Sequence, residues 1–274
     1  MEIIMSIYPH GHSVVRALLL GCLLAGGAVS SNATVVLDWD TVTWAPGSRS
    51  NSYDVTGDGV TDVTVSATSQ PSNIWDNDPV TGTLTPAISQ TLTGGLSPVQ
   101  NSLMLAADLK THSDVTVQLS FTGTHQLGQN VSFTIFDIDV TTNSDIISGI
   151  YGVALDGSQV APTITNVGSA ITQTGSGLTA VLTGISASAD NSSNGNVTIS
   201  FGSAVLTDVF FLWSNNNGAP RYQDIAIGDI TFTPVPEINP AMTAVGSCFL
   251  AVGLTIFARR RAKVRASSFR AAQP

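Results

Sequence analysis

The densest run of oxygen donors in the chain is Tyr53-Asp54-Val55-Thr56-Gly57-Asp58-Gly59-Val60-Thr61-Asp62. With Asp54 as position 1, side-chain oxygens fall at positions 1, 3, 5 and 9 through Asp54, Thr56, Asp58 and Asp62, and the carbonyl of Val60 stands at position 7. A hard cation such as Ca²⁺ takes roughly six to eight oxygens from a tightly curled loop. This spacing supplies five before any water is counted, and Gly59 sits where the loop must turn most sharply. The chemistry implied is weak calcium binding, because Val65 stands where an EF-hand places its bidentate Glu. The structural alternative is an Asp-Gly turn joining two strands, with its carboxylates in water.

The same run resembles the Asp-rich calcium loops of dockerin-type and FG-GAP-type repeats. A second acidic feature is Phe136-Asp137-Ile138-Asp139. In a strand it would put two carboxylates on one face. Paired carboxylates are the machinery of glycoside hydrolysis, so a secreted carbohydrate-active enzyme using Asp137 and Asp139 is one reading. A second cation site with Asp156 is another, and solvated aspartates at a strand end are a third. Other chemistries fail. The chain has no Gly-x-Ser-x-Gly elbow, no Walker or dinucleotide loop, and no zinc spacing around His112 or His125. Of the four tryptophans, Trp39 and Trp213 lie in apolar strand-like runs and read as core. Trp75 lies in the polar stretch Asn73-Ile-Trp-Asp-Asn-Asp78 and is the one to test for ligand contact.

These residues need a scaffold, and the pattern around them is that of short strands. Apolar and polar residues alternate at Thr34–Asp38, Val60–Ala67, Val115–Phe121, Val131–Ile138, Val197–Phe201 and Ile225–Phe232. Tyr151–Leu155, Gly177–Leu182 and Val205–Trp213 alternate less cleanly, and Leu103–Lys110 also reads as a strand. Asp156-Gly157 and Asn194-Gly195 suit tight turns. No amphipathic helix stands out and no repeat period appears. Many strands without helices imply packed antiparallel sheets, and the expected fold is an all-β, jelly-roll-like β-sandwich over residues 34–233. Pro71–Pro98, with four prolines, reads as a long surface excursion.

Charge narrows the partners. Between Thr34 and Glu237 the bases are Arg49, Lys110 and Arg221, against 18 acids, of which 17 are Asp, for a formal charge of −15. Such a body repels nucleic acid and anionic lipid, whose phosphates need clustered Lys and Arg. Both cysteines, Cys22 and Cys248, lie in the terminal hydrophobic runs, so no disulfide framework holds the body.

The two ends carry addresses. Arg16 precedes the apolar run Ala17–Val29, which has the length of a signal-peptide core, and Ser31-Asn32-Ala33 offers small residues for cleavage after Ala33. Residues 1–33 are therefore expected to be a removable signal peptide. At the other end Ala241–Ala258 is an uncharged stretch of 18 residues, about 27 Å as a helix and enough to cross a membrane once. Arg259, Arg260, Arg261, Lys263 and Arg265 follow at once and keep that side cytoplasmic, with the body outside.

The order Val235-Pro236-Glu237, a short apolar helix, then Arg259-Arg260-Arg261 resembles the PEP-CTERM sorting tail of envelope-bearing bacteria. Ile238 stands where the second Pro of that motif would be. The resemblance implies an exosortase-like membrane protease as partner for residues 234–265, a polar tail at 266–274, and company with exopolysaccharide. The body would stay at the envelope, held by the one C-terminal helix, or leave after the tail is cut. The function expected is an exported, non-enzymatic surface or matrix protein, associated with polysaccharide and weakly with Ca²⁺. The paired-Asp enzyme is the rival.

Overall fold

The computed structural model describes residues 33–70, 74–109, 114–121, 127–216 and 221–235. The run expected to be a signal-peptide core, Ala17–Val29, together with Pro236, Glu237, the apolar stretch 241–258, Arg259–Arg261 and the tail 266–274, lies outside the described residues. So do Lys110, His112 and His125. Among the described residues no helix is long and apolar enough to cross a membrane. Helical geometry there is limited to two short 3-10 turns, Gly177–Thr179 and Ser193–Gly195.

All described strands belong to one antiparallel sheet that curls back on itself. One layer of it places β2 (Ser50–Tyr53), β3 (Val63–Ser69), β7 (Val115–Phe121), β15 (Val205–Asn215) and β9 (Asp145–Ala154) side by side. It continues through β13 (Val181–Gly184) to β12 (Ile171–Thr174), and β10 (Gln159–Val160) also pairs with β9. The other layer runs from β11 (Thr163–Thr165) through β14 (Val197–Ser200) to β8 (Leu127–Phe136). Beyond β8 lie β16 (Arg221–Ile227) and β17 (Ile230–Val235). These pair outward with β6 (Ser102–Leu109) and β1 (Val35–Leu37), and β6 carries β4 (Ile74–Trp75) and β5 (Ala87–Ser89) on its far edge. The layers join where Val205 and Leu206 of β15 pair with Gln129 and Gly128 of β8.

The period-2 pattern explains this arrangement. Val115, Val117, Leu119 and Phe121 of β7 are buried, while Thr116, Gln118 and Ser120 between them are partly exposed. The same alternation turns Val131, Phe133 and Ile135 of β8 and Val209, Phe211 and Trp213 of β15 inward. Phe133 stacks on Phe211 across the two layers, ring centroids 6.0 Å apart. Phe121 and Phe232 meet at 5.0 Å. Each such side chain, fully buried, contributes about 1.5–3 kcal/mol.

The structure departs from the sequence reading in four places. β9 begins at Asp145, well before Tyr151, because a bulge at Gly149 (φ 56°) interrupts the alternation that would have marked it. The first half of Gly177–Leu182 is a 3-10 turn, and only its end enters β13. β17 extends past Phe232 to Val235, which pairs with Leu127, so the sheet includes the residue at which the sorting motif is expected to begin. Ile225–Phe232, expected as one strand, is divided between β16 and β17 by the turn at Gly228 and Asp229.

Pro71–Pro98 is the larger correction. From Ile74 onward the segment is packed onto the outer side of β6 and β16 instead of running free. Leu92, Met104, Ala106, Phe136 and Ala226 form a second small core there. Thr85, fully buried, donates its hydroxyl to the carbonyl of Ala106 at 2.8 Å and accepts that residue's amide at 2.9 Å, standing in for a strand neighbour. Asp78, also fully buried, accepts from Ser89 Oγ, Thr91 Oγ1 and the amides of Val80 and Thr81. Polar side chains give this segment its shape, which is why hydrophobic periodicity does not reveal it.

Candidate functional site

The run Asp54–Asp62 connects β2 to β3 just beyond the pair Tyr53–Val63. Its carboxylates close the turn on backbone amides. Asp54 accepts from the amides of Gly57 (2.7 Å), Asp58 (3.2 Å) and Gly59 (2.7 Å). These amides, Gly59's above all, hold its carboxyl below the usual carboxylate range. Asp58 accepts from Val60 N at 2.9 Å. Asp62 is 1 % exposed and its Oδ2 accepts the amides of Val55 and Thr56. Its Oδ1 is buried without a partner. The Thr56 hydroxyl donates to Asp54 Oδ1 at 3.5 Å. Among the described residues no three His, Cys, Asp or Glu side chains converge to hold a metal ion.

Asp137 and Asp139 do not share a strand face. β8 ends at Phe136, and Asp137 adopts the left-handed conformation at φ 64°. Both are buried, 7 % and 3 % exposed. Asp139 accepts the amide of Ser188 at 2.7 Å. Burial, then the negative charges of Asp139, Asp224 and Asp190, push the Asp137 carboxyl up to about 8. Burial also lifts Asp224 to about 6, against the Tyr222 hydroxyl that donates to it at 2.9 Å. Asp156 is not part of this group: it caps its own β9–β10 turn through Ser158.

None of the four tryptophans is a platform. Trp39 is fully buried, donates Nε1 to Gly228 O at 3.0 Å, and packs edge-on against Trp44 and Tyr53. Trp213, also fully buried, donates Nε1 to Asp145 Oδ1 at 2.9 Å. Trp44 donates to Ser48 O and is 5 % exposed. Trp75, expected to meet ligand, is 8 % exposed and lies under the guanidinium of Arg49, 4.9 Å from the ring centroid. The residue beside it that faces out is Ile74, 59 % exposed.

The surface that does offer ligand chemistry is the outer side of β2, β3, β7, β15 and β9. Strand register aligns its side chains in rows. One row is Ser52, Thr64, Ser120 and Asp208. The next is Ser66, Gln118, Phe210 and Tyr151. Tyr151 and Phe210 stack at 5.1 Å with their planes 23° apart, and both remain partly exposed. Beside them Gln118 Nε2 donates to Ser120 Oγ (2.8 Å) and Asp208 Oδ1 (2.9 Å), and Ser120 Oγ donates to the same Asp208 oxygen at 2.7 Å. Ser52 and Thr64 share a hydrogen bond at 2.8 Å. This network holds amide, hydroxyl and carboxylate groups fixed next to aromatic surface. Its parts are distant in sequence, Gln118 and Asp208 by 90 residues, which is why no local motif marks it. The polar positions of β7 were the available signal.

No family model matches the chain. No curated protein matches it either. Among solved structures, a family 11 carbohydrate-binding module from Clostridium thermocellum, in complex with a β-1,3-1,4-mixed-linked tetrasaccharide, aligns at TM-score 0.31 and 12% identity, covering 69% of this chain and 97% of that one. The family 11 module of the cellulosomal cellulase Lic26A-Cel5E of the same organism aligns at TM-score 0.31 and 11% identity, covering 70% and 97%. A mannan-recognising module, TmCBM27, aligns at TM-score 0.27 and 12% identity, covering 62% and 98%. Likeness at this level assigns neither family nor ligand.

The buried carboxyls make a pH prediction. Asp137 and Asp224 keep protons in the fold that the unfolded chain releases near its ordinary value of 3.8. The stability they contribute is full below that value and is lost as pH rises through about 6 and then about 8. Thermal melts are expected to show Tm falling by about 4 °C or more from pH 5 to pH 9, at ~2–4 °C per kcal/mol. Asp137→Asn should flatten that slope. A Tm that is level or rises over this range contradicts the assignment.

Proposed function

We propose that this protein is an exported, non-catalytic module that binds neutral polysaccharide at the cell envelope, through the outer face of β3, β7, β15 and β9. The observation that carries this is the stacked, partly exposed pair Tyr151–Phe210 beside the hydrogen-bonded set Gln118, Ser120 and Asp208. A sugar ring has a C–H face that packs on aromatic surface, and its hydroxyls need fixed donors and acceptors. The formal charge of −15 over residues 34–237 favours a neutral chain over an anionic one and opposes nucleic acid. We read the curled sheet as a jelly-roll-like sandwich whose outer faces are free for binding. The enzyme reading loses its support, since Asp137 and Asp139 are buried.

Affinity electrophoresis in gels containing β-glucan, mannan or xylan tests this. At least one polymer should retard the protein without releasing reducing ends. Tyr151→Ala with Phe210→Ala should weaken retardation about tenfold or more, ~1.4 kcal/mol. Equal retardation of variant and wild type, or steady hydrolysis, would remove the proposal.

The ends complete the reading. The apolar run ahead of Ala33 supports a leader cut after that residue. Val235-Pro236-Glu237 with Arg259–Arg261 supports a membrane-anchored tail processed by an exosortase-like protease. Intact mass of the protein from its own cells and medium should begin at Thr34, and the released form should lack the apolar tail. A mass that retains Met1 overturns the first point, and a full-length tail in the medium overturns the second.

Calcium binding by the Asp54–Asp62 loop is a separate proposal. Its support is the buried, unpartnered Oδ1 of Asp62, because a buried carboxylate oxygen without a donor is costly. Binding would require Asp54 and Asp58 to trade backbone amides for the ion. Millimolar Ca²⁺ should then raise the melting temperature relative to chelator, and Asp62→Asn should abolish the rise. No shift in the wild type ends the claim.

A further inference from the structure

The opposite face of the body carries a concave feature that the proposed site does not use. On the outer side of β8 and β14 a groove of about 600 Å³ opens between the end of the proline-rich segment, the β11–β12 connection and the β16–β17 turn. Its size lies within the ~300–1,000 Å³ of small-molecule sites. Thr134 and Thr198 project into it from neighbouring strands and share a hydrogen bond at 3.1 Å. Asn166, held at φ 51°, donates Nδ2 to Thr198 Oγ1 at 3.2 Å. Asn196 donates Nδ2 to Gly94 O at 2.8 Å, and its Oδ1 is buried in the wall without a partner. Leu96 and Val167 edge the groove with exposed aliphatic surface, 39% and 38%.

The lining specifies its occupant. Apart from Asp229 it is uncharged, with hydroxyls and carboxamides on the walls. There is no Lys, Arg or His in the lining to take a phosphate, a carboxylate or an acidic peptide. A ligand rich in hydroxyls suits such walls, since each hydroxyl both donates and accepts.

We infer that this groove is a second site for a neutral glycan segment, so that one body holds two polysaccharide chains on opposite faces. The inference rests on the polysaccharide-binding reading above. Phe210 and Tyr151 point out of one layer, while Thr134 and Thr198 point out of the other. A ligand on one face therefore leaves the other open, and the protein can cross-link chains, which raises avidity without new contacts.

Binding stoichiometry tests it on the purified protein. The probe is the linear hexasaccharide of whichever polymer (β-glucan, mannan or xylan) retards the protein most, titrated by calorimetry and checked by native mass spectrometry. The wild type should bind two molecules per chain. Tyr151→Ala with Phe210→Ala should leave one, Thr134→Phe, which fills the groove, should leave one, and the combination should leave none. One molecule per wild-type chain, lost with Tyr151 and Phe210, overturns the second site while the first stands. One molecule lost with Thr134→Phe alone overturns the two-site account and moves binding to the groove. If Thr134→Phe does not fold, the wild-type count and the residual binding of the aromatic variant decide the matter. No binding of any probe removes both readings.

Discussion

The carboxylate of Asp145 is the contact on which the rest of the body depends. It is 2 % exposed and lies between the layers. Its Oδ1 accepts Trp213 Nε1 and Gln223 Nε2, each at 2.9 Å, and its Oδ2 accepts the amide of Asp139 at 3.3 Å. Those donors come from β15, from β16 in the other layer, and from the connection after β8. Burial pushes this carboxyl well above the usual carboxylate range, while the indole and amide donors oppose the shift. Loss of one donor would leave a buried acceptor unmatched, a cost of about 1–3 kcal/mol. The same contact fixes β9 against β15, and their register then sets Tyr151 beside Phe210 on the outer side. The buried polar triad and the exposed aromatic pair are two faces of one strand pairing.

The aspartates that dominate the composition divide by task. Asp54, Asp58 and Asp156 cap turns with their own or nearby amides. Asp78 organises a polar knot under the proline-rich segment. Asp137 and Asp139 are buried and Asp224 partly so, and burial, then neighbouring carboxylates, opposes their ionisation. In a sequence all of these read alike, as solvated acids, metal ligands or catalytic pairs. What separates them is the geometry of backbone amides, which residue type does not encode.

The strands with clean alternation were legible because one side of each is buried. β7 and β8 show this best. Trp39 and Trp213 were legible as core for the same reason. Asp145-Ile-Ile-Ser-Gly was not, since a bulge and a buried acid break the pattern where β9 begins. Trp75 misled because its ring turns under Arg49 while Ile74 beside it takes the exposed position. The candidate face was hidden for a different reason. It is made by register across strands distant in sequence, and only the pairing of β15 with both β7 and β9 brings Gln118, Asp208, Phe210 and Tyr151 together. Of the residues that resemble a sorting motif, Val235 alone falls within the described sheet.

The central claim is that ligand meets the aromatic pair and its polar row. Nuclear magnetic resonance of isotope-labelled protein, titrated with a neutral linear hexasaccharide, tests it most directly. The account predicts that the largest perturbations fall on the ring signals of Tyr151 and Phe210 and on the side-chain amide of Gln118. Perturbations confined to the Asp54–Asp62 loop or to the Asp137–Asp139 region, or none at saturating sugar, would contradict it.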